Sequence, residues 1–160
     1  LASEQLIIAQ DAGNYAITNL GALLFARDLN DFPTVARKAL RVIRYDGPSP
    51  ISPSRSKTFF SGYAKLDQAL EYVEALLPGQ EVIQGARRVT LRMFPHMAIR
   101  ELMANMLIHQ DFSITGTGPM ICIFDGRIEF TNPGSSLVDV ARLLNDPPHS
   151  RNEKMAAICR

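Results

Sequence analysis

Between Pro95 and Gly134 the chain reads PHMAIRELMANMLIHQDFSITGTGPMICIFDGRIEFTNPG. Its parts follow different periodicities, and that limits the folds open to the chain. Pro95 to His109 contains no glycine, opens on a proline suited to a first helical turn, and carries Ile99, Leu102, Met103 and Met106 at helical spacing. Those four are the expected core-facing stripe. MICIFDGRIEFTN reads as two strands around Asp125-Gly126, a strong two-residue hairpin signal, and closes on the turn Asn132-Pro133-Gly134. A helix with one apolar stripe next to a hairpin calls for a layered fold in which helix and sheet cover each other.

At about 100° per residue, Glu101, Asn105 and His109 stack along one adjacent helix face. Asparagine is a poor residue inside a helix, costing on the order of 0.5 kcal/mol relative to alanine, so Asn105 invites a compensating role. One such role is oxygen ligation of a nucleotide-bound Mg²⁺, an ion that takes oxygen ligands in an octahedral shell. The structural alternative is that Asn105 bonds a neighbouring loop and Glu101 is a solvated helix acid. The following loop, Ser113 to Gly118, is small and polar. Gly116 and Gly118 let its N–H groups approach a phosphate, or simply supply a helix-to-strand connection with positive φ.

Upstream, Ser3 to Gln10 is expected to form a short helix ended by Gly13, and Thr18 to cap a second helix bearing Leu20, Leu23, Leu24 and Phe25. LRVIRY (40–45) alternates as a strand, DGPSPISPSRS is a turn-rich loop, and KTFFSG a short strand. Ala64 to Leu77 is an amphipathic helix stopped by Pro78-Gly79, and EVIQGARRVTLRMF a hairpin or bulged pair. After Gly134, a short helix over Leu137 to Leu144 is expected. Ser150-x-x-Glu153 then reads as a capping box, with Arg151 beside it as a candidate anion contact. The resulting expectation is an α/β (α+β) layered sandwich, with a mixed or antiparallel sheet, helices on one face and the hairpin at its centre.

The Glu101-x-x-x-Asn105 helix followed by loop and paired strands resembles the asparagine-box helix of GHKL ATPases. More closely, RELMANMLIHQDF, GPMICIFDGRIEFTNPG and SRNE resemble the C-terminal domain of bacterial and archaeal proteins described as RecG-related ATP-dependent DNA helicases or transcriptional regulators. In that family a GHKL-like domain follows an AlbA/Schlafen-like DNA-binding domain. The resemblance implies a lead-in from a preceding domain over residues 1–16 and a GHKL-like domain over 17–160 that ends before the family's lid segment. It implies ATP and Mg²⁺ as cofactors, Glu101 as the base that polarises water and Asn105 as the Mg²⁺ ligand. His109 joins the expected cofactor contacts as a departure from the family, whose helices commonly carry an acid or lysine near that point. Asn132 and Gly134 would line the base pocket, an amide replacing the acid that receives the adenine amino group. A pocket walled by the Pro95 helix and floored by the 118–132 hairpin is the corresponding expectation. Whether this stretch turns ATP over without a lid is left open.

With 46% hydrophobic and 21% charged residues in 160, the chain can bury one sizeable core. A net charge of +1 excludes a strongly basic nucleic-acid binder. It leaves the local run from Arg37 to Lys57, with Arg41, Arg44 and Arg55, as a DNA-facing alternative in which the domain is a non-catalytic regulatory or homo-oligomerising module. Cys122 and Cys159 form no metal motif, and Cys122 reads as a small buried hydrophobe. No signal peptide or membrane-length apolar run is present in the sequence, so a cytoplasmic setting and no membrane partner are expected.

Overall fold

The computed structural model describes residues 4–77, 79–84, 87–137 and 150–158. Its elements are β1 (Ile7–Ala9), β2 (Tyr15–Ile17), α1 (Asn19–Phe25), β3 (Leu40–Tyr45), β4 (Pro53–Phe59), α2 (Leu66–Leu76), β5 (Gly79–Gln84), β6 (Arg87–Arg92), α3 (His96–Ile108), β7 (Met120–Ile123), β8 (Ile128–Thr131) and α4 (Glu153–Ile158), with four short 3₁₀ turns between them. The expected α+β architecture is present: a mixed four-stranded sheet with helices packed on it, and two separate antiparallel hairpins, β1–β2 and β5–β6.

The main sheet runs β4-β3-β7-β8. Its middle pair, β3 and β7, is parallel, with Val42 opposite Ile121 and Ile43 opposite Cys122, whereas β4 and β8 pair antiparallel on the outside. The β7–β8 hairpin is therefore half central and half edge: LRVIRY takes the other inner position. A parallel pair requires a long crossover, and α2, the β5–β6 hairpin and α3 supply it.

Strand alternation turns Leu40 and Val42 of β3 and Ile121 and Ile123 of β7 into one apolar cluster. Leu23 and Leu24 of α1, Leu70 and Val73 of α2, and Ile99, Met103 and Met106 of α3 join it. Full burial of such side chains stabilises a fold by roughly 1.5–3 kcal/mol each, so this cluster is what holds the layers together. Cys122 is buried as expected, on the opposite side of its strand, and desolvation pushes its thiol up.

Three local expectations need correction. Residues 7–9 are a strand rather than helix: β-branched Ile7 and Ile8 pair with Tyr15–Ile17, and Gly13 takes φ 77° in the connection. The stripe of α3 is rotated, leaving Leu102 47% exposed while Leu107 and Ile108 are buried. Strand β4 begins already at Pro53, inside the expected loop. Other expectations hold. Thr18 caps α1 by accepting from the Gly21 N–H at 3.0 Å, and Gly21 lies so close to the Leu6 carbonyl that a Cβ would overlap it. The expected Leu137 to Leu144 helix, Pro78, Gly85 and Cys159 lie wholly or almost wholly outside the described residues. Among the described residues no helix is long and apolar enough to cross a membrane.

Candidate functional site

A helix leaves its last carbonyls without intrahelical donors, and α3 solves this with side chains from two later segments. The Asn152 amide donates to the carbonyls of Ile108 (2.6 Å) and Gln110 (2.7 Å), and the Asn132 amide donates to that of His109 (3.1 Å). Three successive carbonyls are thus satisfied by two asparagines. Carbonyls only accept, so in both residues the amide nitrogen must face α3. The Asp111 N–H closes the same knot by donating to the Pro133 carbonyl at 2.8 Å.

Beneath this knot Gln110 is fully buried. Its amide donates to the Tyr63 hydroxyl and the Leu107 carbonyl, both at 3.0 Å, and Tyr63 donates in turn to the Lys38 carbonyl at 2.6 Å. Burial pushes the Tyr63 hydroxyl well above its ordinary pKa, the Gln110 bond opposing, so it stays protonated as a donor. Gln110 thereby couples the end of α3 to the segment that enters β3.

The site residues expected from the sequence separate into groups. Glu101 and Asn105 lie exposed on α3, where the Asn105 amide donates to a Glu101 carboxylate oxygen at 3.2 Å. His109 is half-buried at the C-terminal cap of the same helix, and the bond recorded between it and Asn132 uses its carbonyl. Gly116 has φ 78° and open space around it, whereas a Cβ at Gly118 would overlap the Arg37 carbonyl oxygen. Packing therefore accounts for Gly118. Gly134 has φ 125° and lies against the Arg151 guanidinium, which a Cβ at this position would meet.

Arg151 donates to the Ser135 carbonyl at 3.0 Å and stands 3.8 Å from Asp111. The hydroxyl and N–H of Ser113 both donate to Asp111, and with Arg151 and Lys38 nearby they hold its carboxyl below the ordinary carboxylate range. The Ser150–Glu153 capping box does not form: α4 starts at Glu153, Asn152 precedes it, and the Ser150 hydroxyl is buried with no hydrogen-bond partner among the described residues.

A cleft of about 490 Å³ opens beside this knot, between the start of α1, residues 34–38, Phe112 and residues 150–155. Neither α3 nor the β7–β8 hairpin lines it, so it is a different place from the expected nucleotide pocket. Lys38 forms one wall. It is only 4% exposed, its ammonium donates to the Ile114 carbonyl at 2.6 Å, and burial lowers its pKa against the raising effect of Asp111. In the rest of the basic run, the β3–β4 register sets Arg44 opposite Arg55 and Val42 opposite Lys57. Arg44 is ion-paired with Asp125 at 2.5 Å, Arg41 donates to Ser56, and Lys57 lies over the rings of Phe59 and Tyr72.

Sequence reasoning singles out neither Gln110 nor Asp111, and it reads Lys38 only as part of the basic run and Ser150 only as a helix cap. Gln110 and Asp111 sat inside the quoted HQDF segment, where a polar pair following a helix end was itself a capping signal. Lys38 was hidden among exposed basic neighbours. Among the described residues no group of three or more His, Cys, Asp or Glu side chains is arranged to hold a metal ion. A nucleotide-borne Mg²⁺ would ask less of the protein, a single oxygen ligand, and the Asn105 amide oxygen has no hydrogen-bond partner among the described residues.

Comparison with known proteins bears on the C-terminal part. Residues 116–160 match a family model described as "Putative ATP-dependent DNA helicase recG C-terminal", a segment under a third of the chain. No curated protein matches. Among solved structures, that of the DIP2311 protein from Corynebacterium diphtheriae superposes with a TM-score of 0.67 at 19% identity, over 92% of this chain and 29% of that one. The chain thus spans less than a third of that protein, and the likeness shows a shared fold. Residues 116–160 carry β7, β8 and α4, and their match makes this part of the chain similar to an ATPase-like, helicase-related domain.

Proposed function

We propose that this chain is a GHKL-like nucleotide-binding module of a larger regulator or helicase-related protein, taking ATP with Mg²⁺ along the exposed face of α3. The observation that carries the reading is the Asn105 to Glu101 hydrogen bond. A carboxylate only accepts, so the amide nitrogen is committed to Glu101 and the amide oxygen is the group left on offer. That oxygen would serve as one ligand to a phosphate-bound Mg²⁺, an ion that would supply charge neutralisation at the phosphates. Glu101 keeps its second oxygen to orient and deprotonate a water. The similarity of residues 116–160 to an ATPase-like domain supports the same reading. Because the Arg151 guanidinium lies against Gly134, base recognition at Asn132 and Gly134 would take place beside that side chain.

The test is melting temperature with and without ATP and Mg²⁺, since a ligand bound only to the folded state raises it by mass action. Asn105→Ala is expected to abolish the Mg²⁺-dependent shift and leave the unliganded melting temperature unchanged or slightly higher. Glu101→Gln is expected to retain binding and to lose hydrolysis in the longer protein. A wild-type protein that shows no shift, even with its downstream sequence restored, refutes the reading.

A further inference from the structure

The 490 Å³ cleft beside the α3 knot has no part in the function proposed above, and its size falls within the range of small-molecule sites. Its walls are of two kinds. Leu23, Val35, Met155 and the half-buried Phe112 make an apolar side. Lys38, Ser150 and Arg151 are polar residues of the same lining, the Arg151 guanidinium also reaching the Ser135 carbonyl.

Two of those polar groups have unspent hydrogen-bonding capacity. An ammonium has three donors, and among the described residues Lys38, 4% exposed, has one acceptor, the Ile114 carbonyl, with the Phe112 ring centre 5.8 Å away. Buried hydroxyls are nearly always paired, and the Ser150 oxygen is buried without a partner among the described residues. Glu153 at the rim is the one carboxylate in the lining, against the positive charges of Lys38, Arg151 and Lys154. Asp111, which also faces Lys38 and Arg151, is already engaged by Ser113. A buried cation, a waiting hydroxyl and a guanidinium next to an apolar wall describe a receptor for an anion with an apolar body.

We infer that this cleft is a second ligand site, distinct from the α3 face, for a small organic phosphate whose phosphate meets Lys38, Ser150 and Arg151 and whose apolar body lies against Phe112 and Met155. An acceptor for the spare donors explains how a nearly buried ammonium and an unpaired hydroxyl persist in the lining of one cleft.

The probe is phenyl phosphate, titrated calorimetrically into the intact chain, with phenol and inorganic phosphate as half-ligands. The expected result is saturable one-to-one binding of phenyl phosphate, tighter than either half by about tenfold or more, as joining two contacts implies. Ser150→Ala removes an unpaired buried hydroxyl, so it is expected to preserve or raise the melting temperature while weakening phenyl phosphate about fivefold to tenfold. Lys38→Met is expected to weaken it further, with Ser150→Ala deciding the matter should that variant not fold. Asn105→Ala is expected to leave phenyl phosphate binding untouched, which separates this site from the nucleotide reading. Absence of phenyl phosphate binding overturns the inference. So does equal affinity in wild type and Ser150→Ala, or competitive displacement by ATP with Mg²⁺, which would make the two sites one.

Discussion

Asn152→Ala tests whether the RNE segment serves the fold. In the structure the Asn152 amide makes two short bonds to the Ile108 and Gln110 carbonyls, at 2.6 and 2.7 Å, and its side chain is half-buried. Each such neutral bond contributes a net of about 0.5–1.5 kcal/mol, so losing both should destabilise the domain by about 1–3 kcal/mol. No helix-cap penalty is added, because α4 uses the Asn152 carbonyl, which alanine keeps. For a domain of this length the change corresponds to a fall of roughly 2–4 °C in melting temperature per kcal/mol. Asn132→Ala removes one bond, to the His109 carbonyl, and should cost about half as much. Asn152→Asp sharpens the test, since a carboxylate placed against two carbonyls cannot donate and should be worse than alanine. Urea unfolding with an unchanged m-value is the assay. The reasoning fails if Asn152→Ala lies within about 0.5 kcal/mol of wild type, the ordinary scatter of surface changes, or if Asn152→Asp matches wild type.

Gly118→Ala should destabilise by about 1–3 kcal/mol or more, because its methyl meets the Arg37 backbone oxygen. Gly116→Ala meets open space and should cost only the strain of its positive φ, about 1–2 kcal/mol, so a Gly118→Ala protein more stable than Gly116→Ala would contradict the packing account. Met103→Ala, at a fully buried site, should cost about 2–5 kcal/mol, whereas Leu102→Ala should fall within about 0.5 kcal/mol of wild type in the same urea titration. The Asp111 carboxyl is held below its unfolded value. It therefore contributes stability above the ordinary carboxylate range and loses it as pH falls through the depressed value. Acid unfolding should accordingly be less steep for Asp111→Asn than for wild type over that range.

The layers were legible because periodicity reports burial directly. LRVIRY, the helix from Leu66 and the helix from His96 each show a period that only one element type satisfies. Position within the sheet was not legible: nothing in LRVIRY or MICIF says that they lie side by side and parallel, a pairing set by tertiary packing across an intervening crossover. The Leu102 error has a similar origin. Leu102 and Met103 both fit a helical stripe, and only the layer beneath α3 decides which of them turns inward. At the N-terminus, Ile7 and Ile8 allow helix or strand, and the partner strand at Tyr15–Ile17 decides.

Three asparagines in the segments that resemble one family differ in what they hold, a difference that sequence alone does not separate. Asn105, Asn132 and Asn152 are all amides in segments resembling one family, yet Asn132 and Asn152 spend their nitrogens on the carbonyls of α3, while Asn105 spends its own on Glu101. An amide that satisfies a buried carbonyl is required for stability in the absence of any ligand. One held by an exposed carboxylate on the same helix contributes little to stability, of the order of a few tenths of a kcal/mol. The fold therefore gives little reason for asparagine at Asn105 and a strong one at Asn132 and Asn152. A comparison of the three alanine variants separates the jobs. Stability should fall at Asn132 and Asn152 without ligand, and at Asn105 only the response to ATP and Mg²⁺ should change. A loss of unliganded stability at Asn105 equal to that at Asn152 would return all three to the scaffold and leave the α3 face without a function.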